Sequence, residues 1–204
     1  MNEPLYGTPA LHQSPLGPLS PPLHRASTAA QPDAETVRQF GSGQRRGAFY
    51  ARMTHPNCWQ FESLVAAREG ADGAVAFASG MAAMSAAILA HVRAGDRVLI
   101  AHEIYGGTSA FALHDLVRFG VRVDRFSALD LQGLRAALRE PTALVVCETP
   151  INPTLRVVDV AAVAAAARAA SAKTILDGTF APPDRKSTRL NSSHSSVSRM
   201  PSSA

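Results

Sequence analysis

Several residues that could bind a small ligand directly follow short apolar runs of the sequence. Gly80 and Met81 come after AVAFA and a serine, at the start of a predicted helix whose unpaired N–H groups suit a phosphate. Tyr105 follows RVLIA and precedes two glycines, so its ring could cover a flat ligand at a tight turn. Asn152 follows ALVVCE, and Asp177 ends TILD with a carboxylate that could pair with a protonated ring nitrogen. These residue types indicate a site for a flat, phosphorylated, aromatic ligand.

The apolar runs alternate with helical patterns, and this alternation predicts the fold class. Predicted strands are AVAFA, RVLIA, VRVDRF, ALVVCE and TILD. The predicted helices are FESLVAARE, Met81 to Arg93 between the caps Ser79 and Gly95, a segment through Val117 that ends at Gly120, Leu131 to Arg139, and Val160 to Ala170. We therefore expect an α/β fold with a mainly parallel sheet and helices on both faces. Ligands bind outside the carboxyl ends of such strands, where the candidate residues lie.

A family resemblance covers the chain from about Pro21 to Pro183. The segments YARMTHP, FASGMAAMSAAILA, RVLIAHEIYGGT, ETPINPTLRVVD and LDGTFAPP resemble the Cys/Met-metabolism (transsulfuration) family of pyridoxal-phosphate-dependent enzymes, of the cystathionine γ-synthase and γ-lyase type. The resemblance implies an aminotransferase-like (fold type I) large domain with pyridoxal 5'-phosphate as cofactor. It further implies carbon–sulfur chemistry on amino acids, by γ-elimination or γ-replacement on cystathionine, homocysteine or O-acylhomoserine.

The resemblance also assigns roles to individual residues. It places the cofactor phosphate on the backbone of Gly80 and Met81, and the cofactor ring under Tyr105, which takes part in proton transfer. It pairs Asp177 with the pyridine nitrogen, which keeps the ring electron-accepting. Asn152 is expected to contact the cofactor or the substrate carboxylate.

Two further residues link the predicted site to subunit assembly. The resemblance assigns Tyr50 and Arg52 to the phosphate of the neighbouring subunit's cofactor, and arginine is well suited to that contact. It therefore implies a homodimer or homotetramer with its active site at a subunit interface. Glu148 belongs to the same motifs, but its role stays open.

Each candidate could instead have a purely structural role. Asp177 could form a turn, and Ser79 could only cap its helix. Tyr105 could be a packed aromatic residue and Arg52 a solvated charge. Cys147 lies within an apolar strand, which favours packing over nucleophilic chemistry. The histidines show no metal-ligand spacing, so no metal site is predicted.

The lysines of the chain do not match the family's pattern. A lysine holds pyridoxal phosphate as a Schiff base, but this chain has only Lys173 and Lys186. Lys173 begins the strand that ends at Asp177, so we expect it at the far end from the cofactor, and Lys186 lies outside the family's lysine motif. The sequence thus predicts an inactive chain that is truncated before the catalytic lysine and the C-terminal domain. A non-catalytic pseudoenzyme or regulatory protein, and another fold type I enzyme such as an aminotransferase, are the alternatives.

Two glycines depart from the pattern of the family. Gly178 stands where an asparagine usually follows the aspartate, which leaves open how the ring is supported on that side. Gly107 stands where the methionine γ-lyase branch has cysteine, which favours the cystathionine γ-synthase, cystathionine γ-lyase or O-acylhomoserine sulfhydrylase branches.

Composition divides the chain into three predicted segments. Half of the 14 prolines lie in the first 32 residues, which predicts an extended N-terminal arm over residues 1–45, followed by a partial cofactor-binding domain over residues 46–183. Residues 184–204 are serine-rich and are expected to be disordered or artefactual. This tail carries four basic residues and one acidic residue, so it supplies most of the chain's net charge of +4. The remaining residues are nearly neutral, and the basic composition therefore does not predict a nucleic-acid partner.

The location of the protein is predicted from its apolar runs. No run reaches the roughly 20 residues of a membrane span, and the first residues lack the apolar core of a secretory signal. We therefore expect a cytoplasmic protein without a membrane partner.

Overall fold

The computed structural model describes residues 22–45 and 47–181, together with the backbone of residues 194–197. The chain divides into two compact units, one that ends at Ala76 and one that begins at Phe77. This division differs from the predicted boundary after residue 45, which falls inside the first unit. None of the described helices is long and apolar enough to cross a membrane.

The first unit contains two capped helices, α1 (Ala34–Gly41) and α2 (Pro56–Glu69). The Asp33 side chain accepts a hydrogen bond from the Thr36 N–H at 2.7 Å, and Gly70 ends α2 at a φ of 63°. The prediction of an extended arm up to residue 45 is therefore wrong for residues 34–41. The proline-rich N-terminal stretch ends at residue 32, and an aspartate that can cap a helix follows at once. Residues 1–21 of the predicted arm lie outside the described residues.

The second unit is built around a parallel sheet, as the sequence predicts. Its elements in chain order are α3 (Gly80–Leu89), β1 (Arg97–Ala101), α4 (Gly106–Ala110), a π-helical segment (Phe111–Leu116), β2 (Arg122–Phe126), α5 (Leu131–Ala137), β3 (Leu144–Glu148), α6 (Val160–Ala169), β4 (Lys173–Asp177) and β5 (His194–Val197). The strand order is β2-β1-β3-β4-β5, and every pair of neighbours is parallel. The four strands β1 to β4 and the helices between them lie within a few residues of their predicted positions.

The core of this unit lies on both faces of the sheet. Every residue of β1 and β3 is buried, which requires cover above and below the two central strands. Met84 and Ile88 of α3 and Leu134 of α5 belong to the same buried cluster. The helices that join the strands therefore supply the cover, and the loops at the strand ends stay free for other contacts.

A buried arginine joins the strands at the amino end of the sheet. Arg97 is 9% exposed, and its Nε donates a hydrogen bond to Oδ2 of Asp124 in β2 at 2.6 Å. Its Nη1 donates to Oγ1 of Thr142 at 2.9 Å and to the carbonyl of Ala137 at 2.8 Å. The hydrogen bond from Arg97 is the main reason that the pKa of Asp124 lies below its ordinary value. This network is remote from the candidate residues, which follow the carboxyl ends of the strands.

Three local predictions differ from the structure. Residues 74–78 (AVAFA) form no strand: Val75 is 69% exposed, and none of the five described strands pairs with them. A strand requires a neighbour as well as an apolar pattern, and this run has none among the described strands. Helix α3 was predicted to end at Arg93 with Gly95 as its cap, but it ends at Leu89 and Ala90 is its C-cap. The Gly95 N–H instead donates to the carbonyl of Gly120 at 2.8 Å.

The predicted disordered tail contributes one strand. The backbone of His194–Val197 forms β5, whose residues pair with Thr174 to Asp177 of β4. The edge of a parallel sheet offers unpaired N–H and C=O groups, and these can be paired by a backbone whatever its side chains. The expectation of disorder is therefore wrong for these four residues, and the rest of residues 184–204 lies outside the described residues.

Candidate functional site

The order of the strands locates the place where a ligand can bind. After β1 the chain places β2 on one side of it, and then β3 on the other side. The loops that follow β1 and β3 therefore leave the sheet in opposite directions and open a crevice at their carboxyl ends. Tyr105 lies in the loop after β1, and Asn152 lies in the loop after β3.

A cavity of about 160 Å³ lies in this region of the second unit. Five of the predicted site residues contribute to its wall. The lining residues are Gly80, Met81, Met84, Tyr105, Thr108, Glu148, Asn152, Asp177, Thr179 and Phe180. The structure therefore brings together the residues that the sequence placed at separate strand ends.

Asp177 presents a buried carboxylate to the cavity. It is 7% exposed, and its Oδ1 accepts hydrogen bonds from the Thr179 N–H at 3.1 Å and from the Thr179 hydroxyl at 2.5 Å. Among the described residues no group donates to the other oxygen, Oδ2. One side of the carboxylate is thus held by the protein, and the other side can accept a bond from a ligand.

The sequence reasoning missed the role of Thr179. Its signal was a threonine two residues after the aspartate, because a backbone N–H at that spacing commonly bonds to an aspartate side chain. Neither hydrogen bond involves a side chain at residue 178, so the expected effect of Gly178 on the support of the ring stays a prediction. A Cβ at Gly178 would meet only the Ala181 carbonyl oxygen, at an ordinary 3.8 Å.

Glu148 joins the loops on the two sides of the crevice. Its side chain is almost fully buried, its Oε2 accepts a hydrogen bond from the Tyr105 N–H at 2.6 Å, and its Oε1 accepts one from the Asn152 N–H at 3.2 Å. Burial raises the pKa of this carboxyl, and the nearby charge of Asp177 adds to the increase, while the two backbone hydrogen bonds oppose it. The sequence left the role of Glu148 open, and the structure shows it as a shared acceptor.

Tyr105 depends on a glycine for its position. Its side chain is 42% exposed at the start of α4. A Cβ at Gly107 would lie 2.5 Å from the Cε1 atom of the Tyr105 ring and 3.1 Å from the sulfur of Met81. Because the 2.5 Å contact is too short for real atoms, a side chain at residue 107 would require the Tyr105 ring to shift from its present position.

The N-terminus of α3 offers hydrogen-bond donors to the same cavity. The Ser79 side chain accepts from the Ala82 N–H at 3.1 Å, which confirms the predicted cap. The N–H groups of Gly80 and Met81 belong to the first turn and have no acceptor among the described residues. Two donors and the positive end of the helix dipole are an arrangement that binds a phosphate.

Two predicted residues lie in the first unit, which is described by itself. Tyr50 pairs with Thr28 in an isolated antiparallel bridge. The guanidinium carbon of Arg52 lies 4.9 Å from the centre of the Tyr50 ring, so the two side chains are neighbours. Their assignment to a neighbouring subunit's cofactor stays a prediction.

Lys173 lies at the opposite end of β4 from Asp177. In the pairing of β3 with β4, Lys173 is opposite Leu144 at the amino end and Asp177 is opposite Glu148 at the carboxyl end. The Nζ of Lys173 is 3.1 Å from Nδ1 of His91. Lys173 is therefore placed as the sequence predicts, away from the cavity, and Lys186 lies outside the described residues.

The lining groups fit pyridoxal phosphate. The cavity combines anion-binding N–H groups, a tyrosine ring and a buried carboxylate, one oxygen of which has no donor in the part of the chain that the structure describes. These groups match a phosphate, an aromatic ring and a protonated ring nitrogen respectively. Cys147 does not add a nucleophile, because burial raises the pKa of its thiol to about 12.

Comparisons with known proteins agree with this chemistry. A sequence model of the family described as Cys/Met metabolism PLP-dependent enzyme matches residues 9–189. An L-methionine gamma-lyase of Pseudomonas putida is 34% identical over 185 residues, which are 88% of this chain and 46% of that protein. A cystathionine beta-lyase of Lactococcus lactis subsp. cremoris is 35% identical over 167 residues, which are 82% of this chain and 42% of that protein.

Solved structures give the same result for the fold. A putative O-acetylhomoserine (thiol)-lyase of Campylobacter jejuni, solved with N'-pyridoxyl-lysine-5'-monophosphate, matches with a TM-score of 0.79 at 26% identity over 88% of this chain and 44% of its own. A cystathionine gamma synthase of Xanthomonas oryzae pv. oryzae matches with a TM-score of 0.74 at 27% identity over 85% of this chain and 43% of its own. The predicted fold type I architecture is confirmed.

The matched proteins are longer than this chain, and their names state different activities. The chain spans less than half the length of the curated relatives it matches. Their names cover several carbon–sulfur reactions, methionine gamma-lyases among them. The branch preference inferred from Gly107 therefore stays a prediction.

Proposed function

The chain belongs to the Cys/Met metabolism family of pyridoxal-phosphate-dependent enzymes, and on that premise we propose that its second unit provides the cofactor pocket for carbon–sulfur chemistry on an amino acid. One observation carries the proposal: the buried Asp177, the α3 N-terminus and Tyr105 line the same cavity. Bound pyridoxal phosphate supplies a ring that accepts the electrons released when a proton leaves the substrate's α-carbon.

The residues of the chain would hold that ring from three sides. The N–H groups of Gly80 and Met81 would donate to the phosphate. Oδ2 of Asp177 would accept a hydrogen bond from the pyridine nitrogen and keep its proton in place, while Thr179 holds Oδ1. Tyr105 would cover a face of the ring and exclude water from it, with a hydroxyl able to move a proton at the substrate.

The finer parts of the proposal concern substrate and assembly. We propose γ-elimination or γ-replacement on a substrate such as cystathionine, homocysteine or O-acylhomoserine, with Asn152 at the cofactor or the substrate carboxylate. Tyr50 and Arg52 would reach the cofactor phosphate of a neighbouring subunit in a cytoplasmic homodimer or homotetramer.

The position of Lys173 supports a second candidate function. Lys173 is the lysine among the described residues, and at the far end of β4 it would leave the cofactor without a covalent bond to any described residue. A protein that binds the cofactor but does not catalyse is therefore the alternative to the enzyme.

Binding of the cofactor to the purified chain tests the proposal. Titration with pyridoxal phosphate and with pyridoxal, followed by tyrosine and tryptophan fluorescence, should give saturable binding that is weaker without the phosphate. Absence of binding by a folded chain would contradict the proposed pocket. Product analysis with cystathionine, and with O-acylhomoserine plus a thiol, then tests the reaction: turnover by this chain would contradict both its predicted inactivity and the non-catalytic alternative, and binding without turnover agrees with both.

A further inference from the structure

Glu148 lies between the loop that follows β1 and the loop that follows β3, and both loops contribute residues to the cavity. It is the last residue of β3, which lies beside β1 at the centre of the sheet. Tyr105 comes four residues after the end of β1, and Asn152 comes four residues after Glu148. The carboxylate therefore stands between a loop from each of two neighbouring strands.

Each carboxylate oxygen is used by a different loop. Oε2 accepts from the Tyr105 N–H at 2.6 Å, and Oε1 accepts from the Asn152 N–H at 3.2 Å. Hydrogen bonds to an ionised acceptor are about twice as strong as neutral ones. A single side chain thus fixes the distance between the backbones of two residues that line the cavity.

Burial of the Glu148 carboxylate costs free energy, and side-chain packing alone does not offset that cost. Glu148 is 3% exposed, and its partner in the strand register is Asp177, a second buried carboxylate. Two acidic groups in such proximity oppose each other, and a buried charge is retained only with compensating hydrogen bonds. The two backbone N–H groups supply that compensation, and both lie in loops that form the site.

We propose that Glu148 is a positioning residue, whose carboxylate holds Tyr105 and Asn152 in fixed relation across the cavity so that both can contact the same ligand. The proposal rests on the proposed function for the identity of that ligand, pyridoxal phosphate, but not for the contacts themselves. Glu148 acts through the two backbones and does not itself need to touch the ligand.

Hydrogen exchange at single amides tests the contacts directly. In Glu148→Gln one oxygen is replaced by an amide group that faces an N–H donor, so at least one of the Tyr105 and Asn152 amides should exchange roughly ten- to a hundredfold faster. In Glu148→Asp the charge is kept, but the shorter side chain cannot reach both loops, and one of the two amides should lose protection.

Glu103 offers a matched control in the same unit. Its carboxylate accepts from the Ala128 N–H at 3.1 Å and from the Ser127 hydroxyl at 2.7 Å, and it is not among the residues that line the cavity. In Glu103→Gln the Ala128 amide should exchange faster, while Tyr105 and Asn152 keep their wild-type rates.

Affinity for pyridoxal phosphate separates positioning from a general loss of stability. Glu148→Gln should bind the cofactor at least tenfold more weakly, and Glu103→Gln should bind it as the wild type does, with both variants folded by circular dichroism. Unchanged exchange at both amides in the folded Glu148 variants would overturn the proposal, as would equal cofactor affinity in the two glutamine variants. If the wild-type chain binds no cofactor, the proposed function fails, and the exchange rates alone decide the role of Glu148.

Discussion

Replacing Asp177 with asparagine isolates the charge of the buried carboxylate from its shape. The asparagine oxygen can still accept both hydrogen bonds from Thr179, which are 3.1 Å and 2.5 Å long in the wild type. Its amide group then occupies the position of Oδ2. Where the carboxylate would accept a hydrogen bond from a protonated ring nitrogen, the amide presents a second donor.

The expected size of the effect follows from burial. Because Asp177 is only 7% exposed, water screens its charge little. A hydrogen bond to a charged group contributes about 1.5–3 kcal/mol, so the loss should weaken binding of pyridoxal phosphate roughly 10- to 150-fold. The opposed donors place the expected value toward the upper end of that range. The fold itself should tolerate the change, since it also removes the repulsion between Asp177 and Glu148.

The assay is a fluorescence titration with pyridoxal phosphate, and Asp159→Asn is the control. Asp159 accepts a backbone hydrogen bond from Ala162 at 2.9 Å and does not line the cavity. The control should bind as the wild type does. If Asp177→Asn binds within twofold of the wild type, the carboxylate does not meet the ring nitrogen and the reasoning is refuted.

Three further substitutions test other parts of the structure. Gly107→Ala should displace the Tyr105 ring, since the added Cβ would lie 2.5 Å from it; weaker pyridoxal phosphate binding with an unchanged thermal midpoint is expected, and unchanged binding would contradict it. Asp124→Asn should make the free energy of unfolding less dependent on pH in acid. The lowered pKa of Asp124 stabilises the folded state by at most about 1 kcal/mol at pH values above the unfolded pKa, and this stabilisation is lost as the pH falls through the folded pKa. Urea denaturation at pH 7 and pH 3 measures it, and equal losses in variant and wild type would count against the pair with Arg97. Ile175→Ala, at a fully buried position of β4, should lower the free energy of unfolding by roughly 2–5 kcal/mol, and a loss below 1 kcal/mol would mean that β4 is not central to the core.

Local sequence signals account for most of the second unit. The central strands β1 and β3 are short buried runs bounded by turns, and Ser79 caps α3 with its side chain, so the information for these elements lies within a few residues. The clustering of Tyr105, Asn152 and Asp177 was also predictable, because the carboxyl ends of parallel strands meet at one edge.

What the sequence did not reveal depends on contacts between distant segments. AVAFA has a strand's composition, but it forms no strand because no described strand pairs with it. β5 pairs through its backbone, so its serine-rich sequence gives no signal. The role of Glu148 depends on the distance between two loops that follow different strands, and no single sequence motif contains that distance.

The central position of β1 and β3 links ligand binding to folding. The walls of the cavity come from segments that meet only when these two strands are paired, with Val98, Leu99 and Ile100 of β1 beside residues 144–146 of β3. A ligand that contacts both loops binds the paired state and not the separated one, so it stabilises the pairing by an amount that grows with the ratio of its concentration to its Kd. A bound ligand therefore stabilises the centre of the sheet, and the backbone amides of β3 should exchange more slowly with solvent as the fraction of ligand-bound protein rises.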